Sequence, residues 1–163
     1  MDMGSMYSSS SELVVGDIMS FGVPIADRDE SIRSLAKKMK SHGSSIVVVL
    51  NRKTRAPIGI VTEGDIVKKL LSRKRHILFN RAKHAMSWPV ITIRKDAGLE
   101  DAAERMVSNS VKSLCVVDDE ERLLGLVTED DVIRNSTYLI GVLKEMIKTS
   151  YATGEALSTQ HQR

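Results

Sequence analysis

The chain has 163 residues, of which 42% are hydrophobic and 28% charged, an ordinary composition for a folded soluble domain. Its single cysteine, Cys115, excludes an intramolecular disulfide and any site that needs several cysteines. The four histidines lack the spacing of a metal centre, no apolar run is long enough to span a bilayer, and residues 1–11 are too polar for a secretory signal. We therefore expect a cytoplasmic protein with no membrane segment and no metal site.

The net charge of +3 comes from one segment of the chain. Residues 66–84 contain seven lysines and arginines and no acidic residue, so the remaining chain is net negative. Three interpretations of this segment stay open: a solvated linker, a source of phosphate contacts for a nucleotide, or a contact surface for nucleic acid or an acidic protein. Phe79 is its only aromatic residue, which weakens the case for stacking on single-stranded nucleic acid.

The chain contains two copies of one unit. A Met-Ser dipeptide followed by an aromatic residue occurs at residues 19–21 and again at residues 86–88. Residues 59–65, with the pattern Gly-apolar-Val-Thr-Glu-x-Asp, recur as residues 125–131. Insertions and deletions between the copies fall in predicted loops, which supports this alignment.

Each copy is predicted to form a β-α-β-β-α unit. In the first copy we expect strands over 23–26, 46–49 and 58–61, a helix over 32–39, and a second helix that starts at Thr62. In the second copy the corresponding strands are 90–93, 114–117 and 123–127, with a helix over 99–107 and another that starts at Thr128. Asp29 and Asp96 are the predicted N-caps of the first helices. Because one copy cannot cover its own sheet, we expect two copies packed sheet to sheet.

The repeated Thr-x-x-Asp spacing is the sharpest chemical signal. Thr62 with Asp65, and Thr128 with Asp131, have the spacing of a capping box, which ties down the start of a helix. The same groups suit a ligand, because a helix start attracts phosphate and a carboxylate accepts hydrogen bonds from sugar hydroxyls. The two interpretations are compatible, and repetition at matching places favours a binding site.

These motifs resemble a pair of CBS (cystathionine-β-synthase) domains, the tandem unit called a Bateman module. The resemblance rests on the Met-Ser-aromatic entries, the strand that ends in Val116-Val117-Asp118, and the doubled Gly-x-Val-Thr-x-x-Asp, and it covers about residues 12–137. It implies an α/β (α+β) fold of two repeats packed by their sheets, with pseudo-twofold symmetry and two clefts. It also implies an adenosine-type regulatory ligand: AMP, ADP, ATP or S-adenosylmethionine.

The repeats and the composition of the remaining residues divide the chain into segments. The first repeat is expected at 12–72 and the second at 83–137, joined by a basic linker at 73–82. Residues 1–11 are expected to be disordered, 138–149 to form a C-terminal helix, and 150–163 to be a flexible tail.

In the family each cleft combines residues of both repeats. Carried over to this chain, one cleft would contain Thr62, Asp65, Trp88, Pro89, Val90, Val111, Lys112 and Ser113. The other would contain Thr128, Asp131, Ser20, Phe21, Val23, Gly43, Ser44 and Ser45. Backbone groups would read the adenine edge and apolar side chains would sandwich its ring. For Phe21 and Trp88, packing against a neighbouring helix is the open alternative.

Charge distinguishes the two expected clefts. Lys68 and Arg134 follow the two aspartates by three residues and fall on the same helix faces, where they would neutralise a phosphate or simply be solvated. Lys69 and Lys112 add positive charge near the Thr62 cleft, whereas Asp130 would repel phosphate beside Thr128. We therefore expect a phosphorylated ligand in the Thr62 cleft.

Catalytic signals are weak. Cys115 lies in an apolar strand, where a thiol is usually inert, and the chain has no nucleophile elbow and no Walker lysine loop. The resemblance, together with these weak catalytic signals, implies a non-catalytic ligand sensor that forms a homodimer and acts on an unknown effector protein in trans. Two alternatives stay open: a nucleic-acid-binding protein that uses residues 68–84, and a dimerisation scaffold that binds no ligand.

Overall fold

The computed structural model of the protein describes residues 13–71 and 80–135. The predicted disordered segment at 1–11, most of the basic linker, the predicted helix at 138–149 and the predicted tail at 150–163 lie outside the described residues.

The two repeats form the same series of elements. The first comprises α1 (Val15–Ile18), β1 (Ile25–Asp27), α2 (Ile32–His42), β2 (Ile46–Leu50), β3 (Pro57–Thr62), and α3 (Glu63–Asp65), which continues as a π-helix (Ile66–Leu71). The second comprises α4 (Ala82–Ala85), β4 (Thr92–Arg94), α5 (Leu99–Ser108), β5 (Ser113–Val117), β6 (Leu123–Thr128) and α6 (Glu129–Asn135). The two sheets are ordered β1-β2-β3 and β4-β5-β6, each with a parallel and then an antiparallel pair. The predicted α/β fold is confirmed.

The predicted N-caps of α2 and α5 are wrong. Ser31 caps α2 through its side chain, and Gly98 holds the N-cap position of α5. Asp29 instead lies in the turn that follows β1, where its backbone N–H donates to the Asp27 carboxylate at 2.9 Å. The chain therefore makes a turn stabilised by Asp27 before α2 begins, and Asp29, like Asp96, precedes the cap.

The inner faces of the two sheets share one apolar cluster. Val48 and Leu50 of the first repeat pack with Cys115 and Leu126 of the second, and all four side chains are buried. Burial without a polar partner penalises the thiolate and raises the pKa of the Cys115 thiol to about 12. The sheet-to-sheet packing expected from the sequence is therefore present.

The short helix that begins each repeat, α1 or α4, packs on the other repeat. Val15 and Met19 belong to the core of the second repeat, whereas Ala82 and Ala85 belong to that of the first. The N–H of Ser20 donates to the Leu126 carbonyl at 2.8 Å, and the N–H of Leu126 donates back at 3.1 Å. These exchanged contacts join the repeats in addition to the sheet contact.

The glycines of the repeated motif lie where the exchanged segments cross the strands. A Cβ atom on Gly125 would be 2.6 Å from the Ser20 carbonyl oxygen, and one on Gly59 would be 2.5 Å from the Met86 sulfur. Both distances are too short for any side chain without displacement of the neighbour. At Gly125 the motif needs glycine because the backbone at Ser20 passes directly over the strand, whereas at Gly59 the space is filled by the Met86 side chain.

Substitution Gly125→Ala should lower the free energy of unfolding by about 1–3 kcal/mol, because the Ser20 backbone must move. Gly64→Ala is the matched control, since Gly64 lies in α3 with space for a Cβ, and alanine there should stabilise by about 0.5–1 kcal/mol. Urea unfolding measures both. Equal effects of the two substitutions would contradict the close crossing.

The Cys115 thiol should react with a disulfide reagent about two orders of magnitude more slowly in the native protein than in urea, because it is fully buried with a pKa near 12. Substitution Ser108→Cys at an exposed helix position supplies a fast-reacting reference thiol in the same chain. Rapid native labelling of both thiols would show that the inner faces of the sheets are open to solvent.

Candidate functional site

A cavity of about 500 Å³ lies between the repeats. Its volume falls within the range of roughly 300–1,000 Å³ that is typical of small-molecule sites. The first repeat contributes Ser45, Ile46, Ile60, Thr62 and Asp65. The second contributes Ser87, Pro89, Val90, Ile91, Val111, Lys112, Ser113, Thr128, Glu129 and Asp130. The structure thus brings most of the residues expected at the Thr62 cleft to one cavity, with contributions from both repeats.

Thr62 and Asp65 form a complete capping box at the start of α3. The Thr62 N–H and hydroxyl both donate to Asp65 Oδ2, at 2.9 and 2.8 Å. The Asp65 N–H donates back to Thr62 Oγ1 at 3.0 Å. One carboxylate oxygen is therefore used to hold the helix start, and the other, Oδ1, is directed elsewhere.

The second oxygen of Asp65 is paired with Lys69. Lys69 Nζ lies 2.9 Å from Asp65 Oδ1 and also donates to the Ala85 carbonyl at 2.9 Å and to Ser87 Oγ at 3.0 Å. Partial burial by itself would raise the pKa of Asp65, but the hydrogen bonds from Lys69 and Thr62 outweigh it and hold the pKa below its ordinary value. Lys69, four residues after Asp65, makes this contact, while Lys68 is exposed.

The second repeat has the same cap. The Thr128 N–H and hydroxyl donate to Asp131 Oδ2 at 2.9 and 2.7 Å, and the Asp131 N–H donates to Thr128 Oγ1 at 3.3 Å. Thr128 lines the cavity, whereas the cavity lining on this side consists of the neighbouring carboxylates Glu129 and Asp130 rather than Asp131. The two caps are thus equivalent in geometry but differ in what they present to this cavity.

The charge of the cavity differs from the sequence expectation. Asp130, expected beside the other cleft, and Glu129, which was assigned to neither cleft, lie in the same cavity as Thr62 and Asp65. Lys112 Nζ is 3.0 Å from Glu129 Oε1, and this hydrogen bond, together with the charges of Glu129 and Asp130, raises the pKa of Lys112. The crossed packing explains the difference, because it places the first turn of α6 against the residues contributed by the first repeat.

Apolar side chains form much of the remaining lining. Ile46 and Ile60 come from the first repeat, and Pro89, Val90 and Ile91 come from the segment that enters β4. Flat aromatic ligands bind between apolar surfaces of this kind, with a few polar groups to set their orientation. The cavity therefore combines an apolar part with hydroxyl and carboxylate groups at the two helix starts.

Other predicted site residues lie outside this cavity. Phe21 and Trp88 are 71% and 72% exposed, so neither is packed into the core. Gly43 and Ser44 line a separate groove beside α2, together with Ser45, which also lines the cavity. Of the rest, Ser20 is bonded to Leu126, Val23 packs against the cluster between the sheets, and Arg134 is exposed.

Sequence reasoning missed several residues of the cavity. Ile46 and Ile60 were expected only as strand residues, and the contribution of Ser87 and Glu129 was not anticipated. The pairing of Lys69 with Asp65 has a signal in the sequence, since residues four apart face each other on a helix. No comparable signal in the sequence shows that Ile46 and Ile60 line the cavity, because their position there depends on how the two sheets pack.

Within residues 13–71 and 80–135, no cluster of three or more potential metal ligands is present. In the same described ranges, no helix is long and apolar enough to cross a bilayer.

Comparisons with known proteins agree with this architecture. The CBS domain family model matches residues 15–72 and 82–138. An uncharacterized protein of Methanopyrus kandleri is 35% identical over 82% of this chain and 68% of its own length. An uncharacterized protein of Methanocaldococcus jannaschii is 36% identical over 90% of this chain and 74% of its own length.

A solved structure is also similar over most of its length. It is the crystal structure of the CBS domain pair of protein MJ0100 in complex with 5′-methylthioadenosine and S-adenosyl-L-methionine. The two chains are 28% identical with a TM-score of 0.67, and the match covers 76% of this chain and 94% of that one.

Lowering the pH should destabilise the protein in part through Asp65. The pKa of Asp65 in the folded protein is below its ordinary value of 3.8, so its contribution to stability is complete above that value and is lost as the pH falls through the folded-state pKa. Asp65→Asn should therefore lose less stability than the wild type between about pH 5 and pH 2.5 in urea unfolding.

The partner of Asp65 provides the control for this measurement. Lys69→Met removes a main cause of the lowered pKa and should reduce the acid dependence in the same direction. Adding Lys69→Met to Asp65→Asn should produce little further change. An unchanged acid dependence in both single variants would contradict the assignment.

Proposed function

Because the chain belongs to the CBS domain family, we propose that it is a non-catalytic regulatory module that binds an adenosine-type small molecule in the cavity between its repeats. The observation that carries the proposal is the cavity itself, in which Thr62 and Asp65 of one repeat face residues 89–91 and 111–113 of the other. The adenosine compounds bound by the similar CBS domain pair of protein MJ0100 support this ligand class.

The lining suggests a pose for such a ligand. The adenine ring would lie against the apolar side chains of Ile46, Ile60 and Val90, and backbone groups of the strand entries would contact its polar edge. Asp65 Oδ1 lies 2.9 Å from Lys69 Nζ and accepts a long hydrogen bond from Ser87 Oγ at 3.5 Å. A ribose hydroxyl would displace Ser87 and donate to this oxygen in its place.

We also propose a second cleft at Thr128 and Asp131. Its cap repeats the geometry at Asp65, and within the described residues Asp131 Oδ1 makes no hydrogen bond. The predicted contributors Ser20, Phe21, Val23, Gly43, Ser44 and Ser45 remain proposals for this cleft, as do Lys68 and Arg134 for phosphate contacts.

A regulatory role requires an output, which we propose to be a homodimer that signals to an effector protein in trans. The buried thiol of Cys115 supports a role other than thiol catalysis. Two lysines of the basic segment are already engaged with acidic residues, Lys69 with Asp65 and Lys83 with Asp29. These ion pairs favour the ligand-binding function over nucleic-acid binding through residues 68–84.

Isothermal titration calorimetry with 5′-methylthioadenosine, S-adenosylmethionine, AMP and ATP tests the proposal. In Asp65→Ala, the affinity for one equivalent of ligand should fall by at least about tenfold or be lost, because the ribose loses its carboxylate partner. Asp131→Ala is the matched control: it removes an equivalent cap, at a similar cost of about 1 kcal/mol in stability, but leaves the carboxylate of the cavity in place.

Thermal unfolding provides a second measurement. A ligand present at about 100 times its dissociation constant should stabilise the wild type by about 2.7 kcal/mol, and Asp65→Ala should reduce that shift. Binding by Asp65→Ala that equals the wild type, or no stabilisation by any adenosine compound, would overturn the proposed site.

A further inference from the structure

Among the residues that the structure describes, the charged groups that line the cavity are predominantly acidic. Asp65, Glu129 and Asp130 contribute three carboxylates to the lining, and Lys112 contributes one ammonium group. Lys69 supplies a second ammonium group against Asp65. A ligand in this cavity therefore meets more negative than positive charge.

The two lysines are also committed to partners. Lys69 Nζ has hydrogen bonds within 3.0 Å to Asp65, Ala85 and Ser87, which use the three donors of its ammonium group. Lys112 is bound to Glu129 at 3.0 Å. If Lys112 turned to a phosphate, Glu129 would lose its partner and would face that phosphate as an uncompensated negative charge.

Asp130 adds a negative charge at the start of α6 that has no equivalent at the start of α3. Its side chain is exposed and makes no hydrogen bond or ion pair within the part of the chain that the structure describes. The equivalent residue of the first repeat is Gly64, and the position equivalent to Lys112 is Ser44. The Lys112–Glu129 pair and the extra carboxylate thus have no counterpart in the first repeat.

From this arrangement we infer that the cavity selects adenosine compounds whose 5′ substituent is neutral or positively charged, such as a thioether or a sulfonium, over 5′-phosphates, with Asp130 as the specificity-determining residue. This inference rests on the proposed function and concerns the same cavity. A sulfonium or ammonium group gains from nearby carboxylates, and a phosphate is repelled by them, whereas the apolar contacts to adenine are common to both.

Calorimetry at one fixed salt concentration tests this selectivity. The affinity compared is that of the cavity, identified as the equivalent of ligand whose binding is lost in Asp65→Ala. The probes are 5′-methylthioadenosine and AMP, which differ mainly in the charge of the 5′ group, and S-adenosylmethionine and ATP. Wild-type protein should bind 5′-methylthioadenosine and S-adenosylmethionine at least about tenfold more tightly than AMP and ATP.

Asp130→Asn removes one negative charge with little change of shape. It should tighten AMP binding about three- to tenfold and weaken S-adenosylmethionine binding by a similar factor, and it should leave 5′-methylthioadenosine binding within about twofold. Glu104→Gln, an equal charge change at an exposed position of α5 outside the cavity, should leave every affinity unchanged.

The outcomes separate the two proposals. Binding of 5′-methylthioadenosine together with equally tight AMP binding, or an unchanged affinity ratio in Asp130→Asn, would overturn the charge selectivity and leave the adenosine site in place. Failure of all four probes to bind would overturn both the site and its selectivity. An equal response to Asp130→Asn and Glu104→Gln would show a general effect of net charge and would also overturn the role of Asp130.

Discussion

The apolar inner faces of the two three-stranded sheets can leave water only by packing on each other. A three-stranded sheet with helices on one side still exposes its other side, and a single repeat has nothing else with which to cover it. Val48 and Leu50 from one sheet, and Cys115 and Leu126 from the other, form the resulting contact. Because each repeat is completed by the other, the pair is the unit that folds, and the cavity between the repeats is a consequence of that pairing.

The exchanged helices α1 and α4 fix the orientation of one repeat relative to the other. Each Met-Ser segment crosses the last strand of the opposite repeat at a glycine: Gly125 lets the Ser20 backbone approach closely, and Gly59 makes room for the Met86 side chain. The crossing brings residues 89–91 into the cavity beside the helix start at Thr62. A ligand bound there contacts both repeats at once, which is the geometry that would let binding change their relative arrangement.

The capping boxes serve stability and chemistry with different atoms. In both repeats one carboxylate oxygen accepts two hydrogen bonds from the threonine and holds the first turn of the helix. The partner of the remaining oxygen depends on the surrounding residues. In the first repeat, where the π-helix follows α3, Lys69 lies beside this oxygen. The structural and ligand-binding interpretations of the motif are therefore compatible, as the residue types suggest.

The sequence by itself determined the repeat, the β-α-β-β-α order that follows the first helix of each repeat, and the two capping boxes, because these depend on local periodicity and on contacts between residues three or four apart. It did not predict the short helices α1 and α4. It misplaced the caps at Asp29 and Asp96, since the turn after β1 lengthens the approach to α2. Only the tertiary structure decided that Glu129 and Asp130 share a cavity with Asp65, and that Ile46 and Ile60 line it. These relations join residues far apart in the chain, and they follow from the packing of one sheet on the other and from the exchange of the entry helices, neither of which leaves a local pattern.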